Sequence, residues 1–439
     1  MKKKARKTQM NYRYATLGIF SSVPLSVFLT ATPAQAQLGL TDAMNNEAAA
    51  QARAQQQGAE YTIKSGDFRM LLQPSLGVQF NDNINLTQSG KQDDFIILPN
   101  LGIIMSYPLS DRNLLQLDVT MGYEEYVKHS SLSTFFLQSG SALSFDVYIK
   151  DILINLHDSI SYVQNSAENA QVANTGTYGT FVNTAGISGD WNLRYLEISA
   201  GYDHGNTIAT KSQFSDTDNS MESGDTRVGY KWNSKLTTGV EGSVAYTAYT
   251  HAVLNDNTSY SGGIYGDWHP DAFLHVEPRF GYEEDVFNNN SQDLQTSDQG
   301  SWYADLNVSH QITRTINYSI DAGRNVGLGV QSDANEYWYV NSSLTWNFIR
   351  NFSFAPSVFF QHGTQGQGTT VLAPGTTNPN LLQQTEVYNW YGGSIGFDYA
   401  ITKRFNMSVN YTITERTSDV AGRGYTQNVI GFSISYHPI

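Results

Sequence analysis

The 439-residue chain contains no cysteine. That excludes a disulfide framework, thiolate chemistry and a lipoprotein anchor, and in an exported chain it suits a bacterial envelope protein. Basic residues are scarce: 26 Lys and Arg stand against 40 Asp and Glu, for a net charge of -14. Nucleic-acid phosphates would repel such a chain, so no nucleic-acid partner is expected. Past the N-terminus no apolar run reaches the roughly 18 residues that a membrane helix needs. A membrane barrel escapes that test, because half of each of its strands is polar. Catalytic signatures are missing too. There is no H-E-x-x-H and no G-x-S-x-G, and the nine histidines are dispersed. The expectation is therefore a non-enzyme with no catalytic residues, no metal ligands and no cofactor.

What the chain does have begins with a secretory leader. Lys2, Lys3, Lys4, Arg6, Lys7 and Arg13 form a positive segment, residues 17–29 are apolar, and Ala34-Gln35-Ala36 is a small-x-small cleavage site. Residues 1–36 are expected to be removed, which leaves the mature chain more acidic still. Residues 37–66 are a separate region. The stretch 45–58 is rich in Ala and Gln and has almost no large apolar residues. It is expected to be a flexible periplasmic tail or a short helix between Thr41-Asp42 and Gly58.

Residues 67–439 repeat one pattern, clearest at 405–414 (F-N-M-S-V-N-Y-T-I-T). Phe405, Met407, Val409, Tyr411 and Ile413 alternate with Asn406, Ser408, Asn410, Thr412 and Thr414. A period of two puts the two sets on opposite faces of a strand, and about ten residues let a tilted strand cross a bilayer. About 18 such strands can be read, with 16 also permitted, and an even number lets the last pair with the first. They are joined alternately by short turns, such as Lys150-Asp151 and 401–404, and long polar loops, such as 205–220, 288–299 and 363–384. That sidedness is the pattern of an outer-membrane barrel, with its turns in the periplasm and its loops outside. Aromatics sort the same way. Trp191, Trp232, Trp268, Trp346 and Phe405 lie beside short turns, whereas Tyr123, Tyr202, Tyr246, Tyr282, Trp302, Trp338 and Tyr411 lie near long loops. The fold expected is all-β: a closed antiparallel transmembrane barrel in the bacterial outer membrane. Its partners would be outer-membrane lipid and the outer-membrane assembly machinery. The closing strand ends at Tyr436 rather than at the chain's last residue, a departure from the usual terminal aromatic of such barrels.

Strand parity predicts the lumen. Asp118, Glu124, Asp146, Glu197, Asp203, Glu241, Asp267, Glu277, Glu283, Asp305, Asp321 and Asp398 point inward, against Arg69, Arg227, Lys231 and Arg279. An acidic wall of low dielectric should favour cations or neutral solutes over anions, although these carboxylates could equally be solvated or paired wall residues. Tyr148, Tyr265, Tyr303, Tyr337 and Tyr339 also point inward and could stack on sugar rings. The candidate substrate path is thus Asp118, Glu124, Glu197, Glu241, Glu277, Arg279, Asp305 and Asp321 together with these tyrosines. His157 and His275 face inward near Ser159 and Glu277. His204 and His251, with Asp203 and Asp256, could form a rim site, and the loop 81–94 (N-D-N-I…K-Q-D-D) has the carboxylates for a surface calcium ion.

With these motifs in place, the chain resembles outer-membrane β-barrel porin families whose members often accompany exopolysaccharide synthesis and export genes. The resemblance rests on N-D-N-I at 81–84, D-F-I-I-L-P at 94–99, G-Y-E-E-Y at 122–126, and the strand–turn repeat over 68–439. It implies a passive outer-membrane channel for hydrophilic solutes or for nascent polysaccharide, with periplasmic export partners, and no catalytic residues. The alginate exporter has a basic lumen for an acidic polymer. An acidic lumen argues here for a neutral or amino-sugar polymer, if for a polymer at all. Two other readings stay open: a surface-exposed structural or adhesive barrel plugged by its loops, and an outer-membrane hydrolase.

Overall fold

The computed structural model describes residues 61–437 apart from 111, 165–168, 177, 367–369, 376–377 and 379–380. The leader 1–36 and the stretch 37–60 lie outside the described residues. The fold is a closed antiparallel barrel of 18 strands. The first are β1 (Phe68–Asn81), β2 (Asp94–Pro108), β3 (Leu114–Tyr126), β4 (Thr134–Ile149), β5 (Ile152–Val163) and β6 (Thr180–Asn192). Next come β7 (Leu196–Ala209), β8 (Asn219–Asn233), β9 (Leu236–Tyr249), β10 (Asn257–Trp268), β11 (Leu274–Phe287) and β12 (Gln299–Thr313). The circle is completed by β13 (Ile316–Gly327), β14 (Asn335–Ile349), β15 (Phe352–Gln365), β16 (Glu386–Ala400), β17 (Phe405–Ser418) and β18 (Tyr425–Tyr436).

Each strand pairs with its neighbour in sequence, and β18 closes on β1 in the register Ser75↔Ser435 to Asn81↔Val429. Closure leaves no sheet edge, so the backbone polar groups of the wall pair with one another, as a hydrocarbon layer requires. The alternative of 16 strands is thereby excluded. A short piece, Ile63–Ser65, folds back on Phe68–Met70, so the segment just before the barrel continues the sheet there. At the other end Tyr436 pairs with Phe405, and the His437 N–H donates to the Arg404 carbonyl (2.7 Å), which joins the chain beyond the last strand to a short turn.

Short turns and long loops alternate around the barrel. The tightest turns use left-handed residues: Lys150 has φ 57° in the link between β4 and β5, and Asn351 has φ 69° in the link between β14 and β15. Two-residue hairpin links need this hand to match the strand twist, and Asn adopts it at little cost.

The outer face is apolar and the inner face polar. Val228, Val240, Val244, Ile264, Phe280, Val340, Val358, Ile395 and Val409 are exposed on the outside. Exposed Trp191, Trp232, Trp268 and Trp346 ring the short-turn end; Tyr202, Tyr246, Tyr260, Tyr282 and Trp338 ring the other. A water-soluble protein would bury this much contiguous apolar surface. A barrel in lipid displays it between two aromatic girdles.

Candidate functional site

The inner wall from β8 to β14 carries a continuous charged network. Alternation turns Arg227, Glu241, Glu277, Arg279, Tyr303, Asp305, Asp321 and Tyr339 inward, and antiparallel register sets them side by side: Arg227↔Glu241, Glu277↔Asn307, Arg279↔Asp305, Asn307↔Asp321. Glu241 is the hub, with its side chain wholly excluded from solvent. Its Oε2 accepts from Arg227 Nη2 (3.0 Å), and its Oε1 accepts from Arg279 Nε (3.0 Å) and the Tyr303 hydroxyl (2.9 Å). Arg227 also donates to Glu277 (3.0 Å), and Arg279 lies 3.8 Å from Asp305. The Tyr339 hydroxyl donates to Asp305 (2.9 Å) and reaches Asp321 (3.5 Å). The network thus holds two arginines and four carboxylates, a formal surplus of negative charge on this wall. Burying charge is tolerable only when it is paired and hydrogen-bonded in this way.

The tyrosines lie flat, and glycine explains why. A Cβ on Gly263 would stand 2.2 Å from the Tyr303 hydroxyl, and one on Gly239 would stand 2.5 Å from the Tyr265 ring. With Gly281, which faces Tyr303 directly, these inward glycines are beds for rings one or two strands away, a pairing that restores packing where a strand lacks a side chain. The Arg227 guanidinium in turn covers Tyr265, 3.7 Å above its centroid. Tyr265 and Tyr303 are buried in this way, and Tyr337 is buried as well. These three rings pack in the wall, whereas Tyr148 and Tyr339 are only partly buried.

The other candidate residues sit elsewhere. Asp118 and Glu124 are on β3 and Tyr148 on β4, separated from the network by β5–β7. Glu197 pairs with Lys231 (3.4 Å) near the short-turn end. The inward histidines are held by other partners. His157 bonds to Asn155 (3.0 Å) and Asp203 (2.7 Å), and His275 bonds to Asp267 on a different strand pair. His204 faces outward onto Glu222 (2.7 Å), whereas Asp203 is buried inside, so no rim site joins them. The carboxylates of the loop 81–94 have partners within the protein. Asp93 is salt-bridged to Lys128, Asp94 accepts from the Lys128 N–H, His129 N–H and His129 ring, and Asp82 accepts from Asn428. Protein donors occupy these carboxylates.

One element was not foreseen. The part of the loop between β5 and β6 around residues 170–173 docks on the inner face of β15–β18. Its Ala170 and Ala173 pack with Leu86, Phe359, Tyr388, Trp390 and Tyr425. The Ala170 carbonyl accepts from Arg416 Nε (2.8 Å), and the Gln171 carbonyl accepts from Arg423 Nη2 (2.7 Å) and Gln365 Nε2 (3.3 Å). Both arginines are anchored on the fully buried Glu386 (2.8 and 2.9 Å). The signal in the sequence was A-Q-V-A at 170–173, small and apolar inside an otherwise polar loop. Further loops interlock over the mouth. The Asn255 N–H and side-chain amide donate to Asp333 (2.8 and 2.7 Å), as does the Thr296 hydroxyl, while Leu254, Leu294 and Leu381 form a small core.

No family model and no curated protein sequence matches this chain. Solved barrels resemble it in shape. OccK2 (OpdF) of Pseudomonas aeruginosa, solved in complex with glucuronate, aligns at TM-score 0.48 and 9% identity over 85% of this chain and 99% of that one. OccD3 (OpdP) of the same organism gives 0.47 and 11% over 88% and 94%. OccAB3 of Acinetobacter baumannii gives 0.46 and 8% over 84% and 98%.

Proposed function

We propose that the protein is a bacterial outer-membrane channel for passive diffusion of small hydrophilic solutes, with cations and neutral molecules preferred over anions. In this reading the leader directs export, and the assembly machinery inserts the barrel into lipid. The observation that carries the reading is a closed barrel of 18 strands with a polar, charged inner wall. Barrels of about 16–18 strands are wide enough to hold water. The negative surplus of the wall supports the preference for cations.

The inward loop sets the bore. It favours small solutes over a polysaccharide strand, as does the burial of three of the five candidate tyrosines. The hydrolase reading has no support in the geometry, because His157 and His275 are held on separate walls by their own carboxylates. Liposome swelling with neutral sugars of graded size tests the proposal. Uptake should fall steeply above the size of a di- or trisaccharide. No uptake of even a monosaccharide by correctly folded protein would make the barrel a plugged one.

A further inference from the structure

We propose that Asp267, His269 and His275 form a binding site for a late first-row divalent metal ion, zinc foremost, at the short-turn mouth of the barrel. The three residues span the turn between β10 and β11 in the sequence D-W-H-P-D-A-F-L-H. Asp267 faces inward near the end of β10, and His275 faces inward at the second position of β11. His269 Nε2 and His275 Nε2 each lie 2.9 Å from the same oxygen, Asp267 Oδ1. The two rings are stacked 4.2 Å apart and nearly parallel, at 4°. Two imidazole nitrogens and a carboxylate oxygen therefore converge on one point.

The turn is built to hold them there. The His269 N–H donates to the Lys235 carbonyl (2.7 Å), and Lys235 Nζ donates to the Pro270 carbonyl (2.6 Å). Asp271 Oδ1 accepts from the Phe273 and Leu274 N–H groups (2.7 and 3.0 Å). The backbone is fixed while the donor side chains stay about a third to a half exposed, at 34%, 49% and 31%. A metal can reach them, and water can fill the fourth position.

The donor set selects the ion. Neutral imidazoles with one carboxylate suit zinc, nickel and copper; calcium and magnesium take oxygen ligands throughout. Zinc–ligand bonds of about 2.0–2.2 Å place tetrahedral ligand atoms roughly 3.3 Å apart. The present contacts need to open by a few tenths of an ångström, and the His269 ring, on the exposed side of the turn, must swing its nitrogen toward the ion. Glu277 is the next inward carboxylate after His275, but it is committed to Arg227.

The test uses the full chain refolded in detergent micelles, with gel mobility showing that the barrel is closed. Zinc is titrated in competition with a chromophoric chelator, and cobalt is added separately for its visible spectrum. The expected result is one zinc per barrel and a tetrahedral cobalt band. H269A and H275A should each weaken zinc at least about 10- to 100-fold, whereas H204A, on the outer face, should leave it unchanged. Absence of saturable zinc binding, or an affinity untouched by H269A and H275A, overturns the site. Because H269A alters an exposed turn, its barrel should remain closed whatever the metal does. Neither readout depends on conductance, so the site and the channel proposal fail separately.

Discussion

Replacing Glu241 by Gln removes one charge and almost no volume. The amide oxygen can still accept from Tyr303, so packing and the tyrosine bed survive. The arginines are affected unequally. Arg227 keeps Glu277 at 3.0 Å, but Arg279 keeps only Asp305 at 3.8 Å, and its Nη2 already lacks a hydrogen-bond partner. E241Q therefore leaves a guanidinium with 7% side-chain exposure close to uncompensated. Breaking a buried pair in this way costs about 3–5 kcal/mol. Removing the stranded charge as well should recover much of the loss, so E241Q/R279M should be more stable than the sum of the single changes implies, with a coupling of about 2 kcal/mol. The assay is reversible urea unfolding from lipid vesicles, followed by tryptophan fluorescence. An E241Q barrel within about 0.5 kcal/mol of the native one, the range of an ordinary surface change, would refute the network as a structural element.

Three further outcomes follow from the same contacts. Gly263→Ala should push Tyr303 off its bed and destabilise the barrel by about 1–3 kcal/mol in the same unfolding assay, as overpacking does. Arg416→Ala should free the inward loop from the wall and raise single-channel conductance; an unchanged conductance would mean that the loop does not set the bore. Burial pushes the Asp333 carboxyl above the ordinary carboxylate range, with its three donors offsetting this only in part. A carboxyl raised in the folded state contributes its stability in full below its unfolded value and loses it as pH rises through the folded value. The loop interlock should therefore be tighter in acid than at neutrality, as seen by pH-corrected hydrogen exchange of 250–256 and 328–334, and Asp333→Asn should flatten that dependence.

Strand number and facing were legible because they rest on period two alone. Strand ends were not. β4 begins at Thr134, well before the clear alternation of 143–149, because Q-S-G-S-A between them reads as loop; Gly140, at φ 90°, lies where the register shifts between Leu137 and Ser141. β8 begins at Asn219 although N-S-M-E-S-G shows no apolar face, because a strand that rises past the lipid needs none. Parity placed Glu241, Arg279 and Asp305 on the inner wall. It could not say that they touch, which depends on register between strands and on the reach of arginine. The glycines at 239, 263 and 281 were a usable sign that inward tyrosines would lie down rather than project. The inward loop and the Asp267–His269–His275 cluster were hidden for a shared reason: each brings together residues across a turn or across the barrel, and periodicity along one strand carries no trace of that.

Reversal potential in a planar bilayer under a salt gradient tests the central claim most directly. Discrete channel openings are expected, with a reversal potential of the sign for cations that is weakened by replacing Asp118 and Asp321 with Asn. Anion-selective openings, or an electrically silent barrel that is shown to be folded and inserted, would contradict it.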